Sequence, residues 1–297
     1  MKFAIMMMGE LRCIHKNHTV IKKQLIDYYN ADVIIVCQNT FHDDKKRIDY
    51  FKENTVYCQI YDKPDPLIYF DNDCCLKNVS NVGGEWNTFG CLQIYINMME
   101  MHKVISTYNW DYDYYLMFRT DSNILFDLPD ISIFNNLPHS VYGFYTDYWK
   151  EWGNLGGHYI HKKYINKYLS APYQYIKNIK HVDILNEKQV FTKLNTLYYK
   201  NIDIDYDFFP EIIYQEILFV LAFESVDIHI KKIHNLPFYY CEDINETYTI
   251  NNDHERITNN GICYKYSCQY EECQKNFLLW SDGYRWITNN NEILLSK

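Results

Sequence analysis

The sequence predicts an α/β protein of Rossmann type, a sandwich with a mostly parallel central sheet flanked by helices. Three observations predict it. Short runs such as "KFAIMMM" and "ADVIIVCQNT" are apolar on both faces, as strands covered on both sides must be. Stretches between the runs repeat apolar residues every three or four positions. Several runs end in polar or glycine-bearing segments, namely "GELR", "CQNT" and "RTDSN".

Taken in order, "KFAIMMM" is the first strand and "GELR" its turn. "TVIKKQLIDYY" places Val20 or Ile21, Leu25 and Tyr28 or Tyr29 on one helical face. "ADVIIVCQNT" is the second strand, "DDKKRIDYFKEN" a short surface helix and "TVYCQIYD" the third strand. After an irregular stretch, "WNTFGCLQIYINMMEMHKVISTY" reads as a long, mostly buried helix, and "YDYYLMF" as the fourth strand. The order β-α-β-α-β-α-β specifies a parallel sheet, whose ligands bind beyond the carboxyl ends of the strands. Further on, "SVYGFYTDYW" is a strand, "GNLGGHYIHKKYINKYL" a glycine turn entering a helix, "NEKQVFTKLNTLYY" and "PEIIYQEILFVLAFE" two helices, and "VDIHIKKIHNL" a late strand. The main domain is expected to span 1–250, with 251–297 a polar, cysteine-dotted tail packed on it.

Bulk composition narrows the function. With 47% hydrophobic residues in 297, the chain can bury a sizeable core and is not disordered. A formal charge of -9 argues against a nucleic-acid partner, which needs a basic face. The apolar run after Lys2 is too short for a secretory signal, and no window has the length of a membrane span, so a cytoplasmic location is expected. The ten cysteines are then expected to be reduced. Cys241, Cys263, Cys268 and Cys273 are either packing thiols or zinc ligands lacking the usual CxxC pair. Three glycosylation sequons, at Asn17, Asn78 and Asn245, are read as chance matches.

The break in "YYLMFRTDSNILF" carries the chemistry. Asp121 and Asn123 at a strand end either cap a turn or hold a ribose hydroxyl and a divalent cation. Arg119 is either the salt-bridge partner of Asp121 or a second anion contact. Gly9 permits a sharp turn and close ligand approach, and Arg12 offers a planar fork to phosphate. Asp111 and Asp113 form a literal Asp-x-Asp at the amino end of the strand, where they belong to a turn. Trp149 and Trp152 are core residues or sugar-stacking platforms, and Gly156 and Gly157 ahead of a helix are placed to offer amides to an anion. Glu216, inside an apolar helix, is either packing polarity or a general base with a raised pKa. His234 is a third metal ligand or a structural histidine.

Together, the Gly-x-x-Arg after the first strand, the element order and the strand ending in "FRTDSN" resemble the GT-A glycosyltransferases that use nucleotide-sugars, in particular small bacterial and large-DNA-virus enzymes that build surface glycans. The resemblance covers roughly residues 1–240. It implies a GT-A-like sandwich, a nucleotide-sugar donor, a glycan or small acceptor, and Mn²⁺ or Mg²⁺ at an Asp-x-Asp motif that maps to Asp121 and Asn123. It implies nucleotide contacts at Gly9 and Arg12, base contacts at Gln38 and Asn39, and a late acidic residue at Glu216. Glu216 or Asp147 is expected to be the base if the reaction inverts. Two other functions fit the same pattern: a nucleotidyltransferase acting on sugar phosphates, and a glycan-binding protein without turnover.

Overall fold

The computed structural model of the chain describes residues 1–63, 65, 69, 85–145, 157–178, 219, 222–242, 258–259, 262–264 and 267–297. Nine strands form one sheet, in the order β12-β13-β8-β6-β7-β4-β1-β2-β3. Its left half contains β6 (Val141–Phe144), β7 (Gly157–His161), β8 (Ile230–Ile233), β12 (Arg285–Asn289) and β13 (Glu292–Ser296). Its right half contains β1 (Phe3–Gly9), β2 (Asp32–Asn39), β3 (Thr55–Asp62) and β4 (Tyr114–Phe118). Five neighbouring pairs are parallel and three antiparallel, so the sheet is mixed and mostly parallel, with β7 running against its neighbours.

Alternation across β1, β2 and β4 divides the core. Phe3, Ile5, Met7, Val33, Ile35, Leu116 and Phe118 face one side. There they meet α1 (Ile14–Ile21), the π-helical turn that continues it through Asp27, and α4 (Ile131–Asn135). Ala4, Met6, Ile34, Val36, Tyr115 and Met117 face the other side, under α3 (Glu85–Thr107) and α5 (Ile165–Asn178). Burial of each large side chain is worth about 1.5–3 kcal/mol. That explains why these strands read as uninterrupted apolar runs. The surface helix expected over 43–54 is shorter, α2 (Asp44–Asp49), and Asp44 accepts hydrogen bonds from the amides of Thr40 and Phe41, both at 2.7 Å.

Three features were not readable as local patterns. A second sheet, in the order β10-β11-β9-β5, joins β5 (Ser122–Ile124) to β9 (Phe238–Glu242), β10 (Thr258–Asn259) and β11 (Ile262–Tyr264). Residues 157–161, expected as part of a glycine turn running into a helix, are strand β7, and Gly157 is there because Phe144 leaves a Cβ only 2.7 Å. In the C-terminal segment, α6 (Ser267–Ser281) leads into the hairpin of β12 and β13, which extends the large sheet by pairing with β8. Among the described residues, no helix is long and apolar enough to cross a membrane. The described free cysteines, Cys13, Cys37, Cys58 and Cys273, form no disulfides.

Candidate active site

The polar break after β4 is the step between the two sheets. Phe118 ends β4 in the large sheet and Ser122 begins β5 in the small one. Arg119, Thr120 and Asp121 make the step. Two contacts hold it in place. Buried Asn17 donates its amide to the carbonyls of Thr120, at 2.9 Å, and Ser122, at 2.7 Å. The Thr120 hydroxyl donates to the Glu10 carbonyl at 3.0 Å, tying the end of β4 to the end of β1. Asn17 is therefore occupied inside the fold, and its sequon is structural.

At this carboxyl edge lies a cleft of about 240 Å³. Gly9, Arg12, Arg119 and Asp121 all line it, so the structure brings these sequence candidates together. Arg119 lies on Asp121 with both arms, at 2.8 and 2.6 Å, and Asp121 is only 3% exposed. Arg12 and Lys63 both hold Glu10, at 2.5 and 3.2 Å. Burial raises the Glu10 carboxyl, but the charges and hydrogen bonds of Arg12 and Lys63 outweigh it and hold the group below its ordinary value. Three cations thus face two carboxylates in this rim, and each carboxylate is already paired. An incoming anion can compete for the same forks.

Gly9 has φ +81, and a Cβ there would lie 2.6 Å from the Asn97 amide nitrogen. Both the turn and that close approach require glycine. Asn97 belongs to α3, which also sends Gln93 into the cleft.

Other sequence candidates lie elsewhere. Gln38 is fully buried and donates to the Asn97 carbonyl oxygen at 2.5 Å. Asn39 is exposed and donates to Asp62 at 3.1 Å. Neither lines the cleft. Asn123 donates to the Tyr239 hydroxyl at 2.6 Å, within the small sheet. His234 follows β8, three strands from β4, roughly 14 Å along the sheet. It is paired with Glu292 at 2.7 Å. Asp111 and Asp113 sit at the opposite edge, bound to Lys2 and Lys162 at 3.0 and 3.1 Å. Glu216, Asp147, Trp149, Trp152 and Gly156 fall outside the described residues.

The described residues do not fit a divalent cation. Both Asp121 oxygens accept from Arg119, Asn123 is committed to Tyr239, and His234 lies three strands away. Among the described residues no group of three His, Cys, Asp or Glu side chains is arranged to hold a metal.

Sequence reading missed Glu10, Lys63, Gln93, Asn97 and Thr120. Lys63 directly follows β3, and the carboxyl-edge rule reaches it. Gln93, Asn97 and Glu100 form a buried polar stripe at helical spacing on α3, and that stripe was a usable signal.

Known proteins add a comparison of shape. No protein-family model matches the chain, and no curated protein matches it. Solved structures do. One is the galactosyltransferase LgtC in complex with donor and acceptor sugar analogues, 8% identical, with a TM-score of 0.37, covering 74% of this chain and 69% of that one. Another is a glycosyltransferase involved in the glycosylation of the major capsid of PBCV-1, 12% identical, with a TM-score of 0.32, covering 80% of this chain and 83% of that one. The fold itself is an α/β sandwich, with a mostly parallel sheet and flanking helices. The likeness concerns the course of the chain, and the functional reading rests on the cleft.

Proposed function

We propose that this protein is a glycosyltransferase that moves a sugar from a nucleotide-sugar donor to a glycan or small acceptor. The observation that carries the reading is the cation-rich rim at the carboxyl edge, with Arg119 on Asp121 and Arg12 and Lys63 on Glu10. Glycosyl transfer breaks the bond between the anomeric carbon and the diphosphate oxygen. It forms a bond from that carbon to an acceptor oxygen, whose proton passes to a base. Negative charge therefore grows on the departing diphosphate. Preorganised guanidinium and ammonium groups stabilise such charge. In this reading Arg12, Lys63 and Arg119 meet the phosphates, and the backbone at Gly9 lies alongside the nucleotide. Glu216 or Asp147 is the base if configuration inverts.

The test is a panel of nucleotide-sugars screened by thermal stabilisation, followed by product analysis on whichever stabilises. Stabilisation by a nucleotide-sugar, with release of a nucleoside diphosphate, is expected. Release of inorganic diphosphate from a nucleoside triphosphate would make the protein a nucleotidyltransferase. Absence of binding to every nucleotide-sugar removes the reading.

A further inference from the structure

Within the cleft the lining changes character. The rim carries the charged groups, while the part between α3 and the sheet is lined by Met8, Ile94 and Met117 with the neutral amides of Gln93 and Asn97. Asn97 is the polar centre of this inner part. Its carbonyl oxygen receives three donors: Gln38 Nε2 at 2.5 Å, the Tyr61 hydroxyl at 2.6 Å and Gln93 Nε2 at 3.4 Å. Burial raises the Tyr61 phenol above its ordinary value, so it stays protonated and donating. With these bonds the oxygen of Asn97 faces Gln38, Tyr61 and Gln93, and its nitrogen lies on the Gly9 side, 2.6 Å from where a Cβ on Gly9 would sit. Asn97 is only 9% exposed, and its amide nitrogen finds no acceptor among the described residues. A donor at the wall of a cleft is open to an acceptor supplied by a ligand.

We propose that Asn97 is a ligand-contacting specificity residue, donating its amide to an oxygen on the nucleobase of the bound nucleotide, with Gln38 and Tyr61 as positioning residues. The inference rests on the glycosyltransferase reading only in taking the ligand to be a nucleotide. A neutral donor flanked by apolar side chains suits the edge of a flat, uncharged ring, and the cationic rim suits its diphosphate. Gln38, near the end of β2 and expected from the resemblance to touch the base, thus acts on the ligand through Asn97.

The test is titration calorimetry of the full chain and its Asn97→Ala variant with uridine, cytidine, guanosine and adenosine diphosphates, ribose 5-diphosphate and inorganic diphosphate. Asn97→Ala is expected to weaken the best-bound nucleoside diphosphate about tenfold, the loss of one hydrogen bond. Affinity for ribose 5-diphosphate and inorganic diphosphate should stay unchanged. Tyr61→Phe keeps the packing and removes one of the three donors, so a loss of roughly threefold with the same pattern is expected even where Asn97→Ala folds poorly. Equal losses for all three ligand types, or no loss for the nucleotides, overturns the proposal while leaving the phosphate rim intact. A wild-type chain that binds none of these ligands overturns the glycosyltransferase reading along with it.

Discussion

Arg119 and Asp121, two residues apart on the step between the sheets, close a two-armed ion pair at 2.8 and 2.6 Å across the mouth of the cleft. The pair does two things. It neutralises a nearly buried carboxylate, and it holds a guanidinium fork where a diphosphate can lie. Arg119 keeps 34% of its side chain exposed, so the fork can reach a ligand. Asp121→Asn is expected to cost about 1–3 kcal/mol of stability, because it replaces a charged acceptor by a neutral one. Denaturant unfolding measures this, and the variant should stay folded while donor turnover is lost. Full turnover in that variant would remove Asp121 from the site.

Glu10 competes with any phosphate for Arg12 and Lys63. Glu10→Gln should therefore tighten binding of inorganic diphosphate, read by calorimetry. Its carboxyl lies below the ordinary value, so the stabilisation from its pairing is full above the unfolded pKa of 4.5 and is lost as pH falls through the lowered value. The variant should lack that acid limb. Weaker diphosphate binding would contradict the competition.

Asn17 fixes the step from behind. Asn17→Ala removes two hydrogen bonds to backbone carbonyls and should cost roughly 1–2 kcal/mol. Local amide exchange at 119–122 should accelerate with it. Unchanged exchange there would mean that the step is held by β4 and β5 alone.

Two buried histidines predict a pH dependence. Burial pulls His158 down to about 3. It also pulls His161 down to about 4, helped by the charges of His139, Lys162 and Lys163 and opposed by Asp113. Both pKa values are lowered, so the unfolded chain binds more protons than the folded one below about pH 6.5. Stability should therefore fall as pH drops from 6.5 toward 5, before the carboxylates titrate. Melting temperatures at pH 7.5 and 5 check this, and a flat profile over that window would refute it.

Much of the right half of the sheet was legible in the sequence. The β3 span of 55–62 coincides with "TVYCQIYD", and β1, β2 and β4 differ from their apolar runs only at the ends. A strand covered by helices on both faces needs local hydrophobicity at every position, and that is written in the chain. The rule that ligands gather at carboxyl ends then picked out Gly9, Arg12, Arg119 and Asp121. Strands β5 and β7 were not legible. Three residues at 122–124 carry no period, and Gly157 looks like a turn until Phe144 packs on it.

By itself, the sequence determined which segments could be buried and which polar residues would sit at strand ends, because both follow from neighbours along the chain. Tertiary structure alone decided how those polar residues are spent. Asn123 went to Tyr239, His234 to Glu292, and Gln38 to Asn97, leaving Asn97 to face the cleft. Each partner lies 58 or more residues away, and only the packed fold brings such donors and acceptors within hydrogen-bond distance.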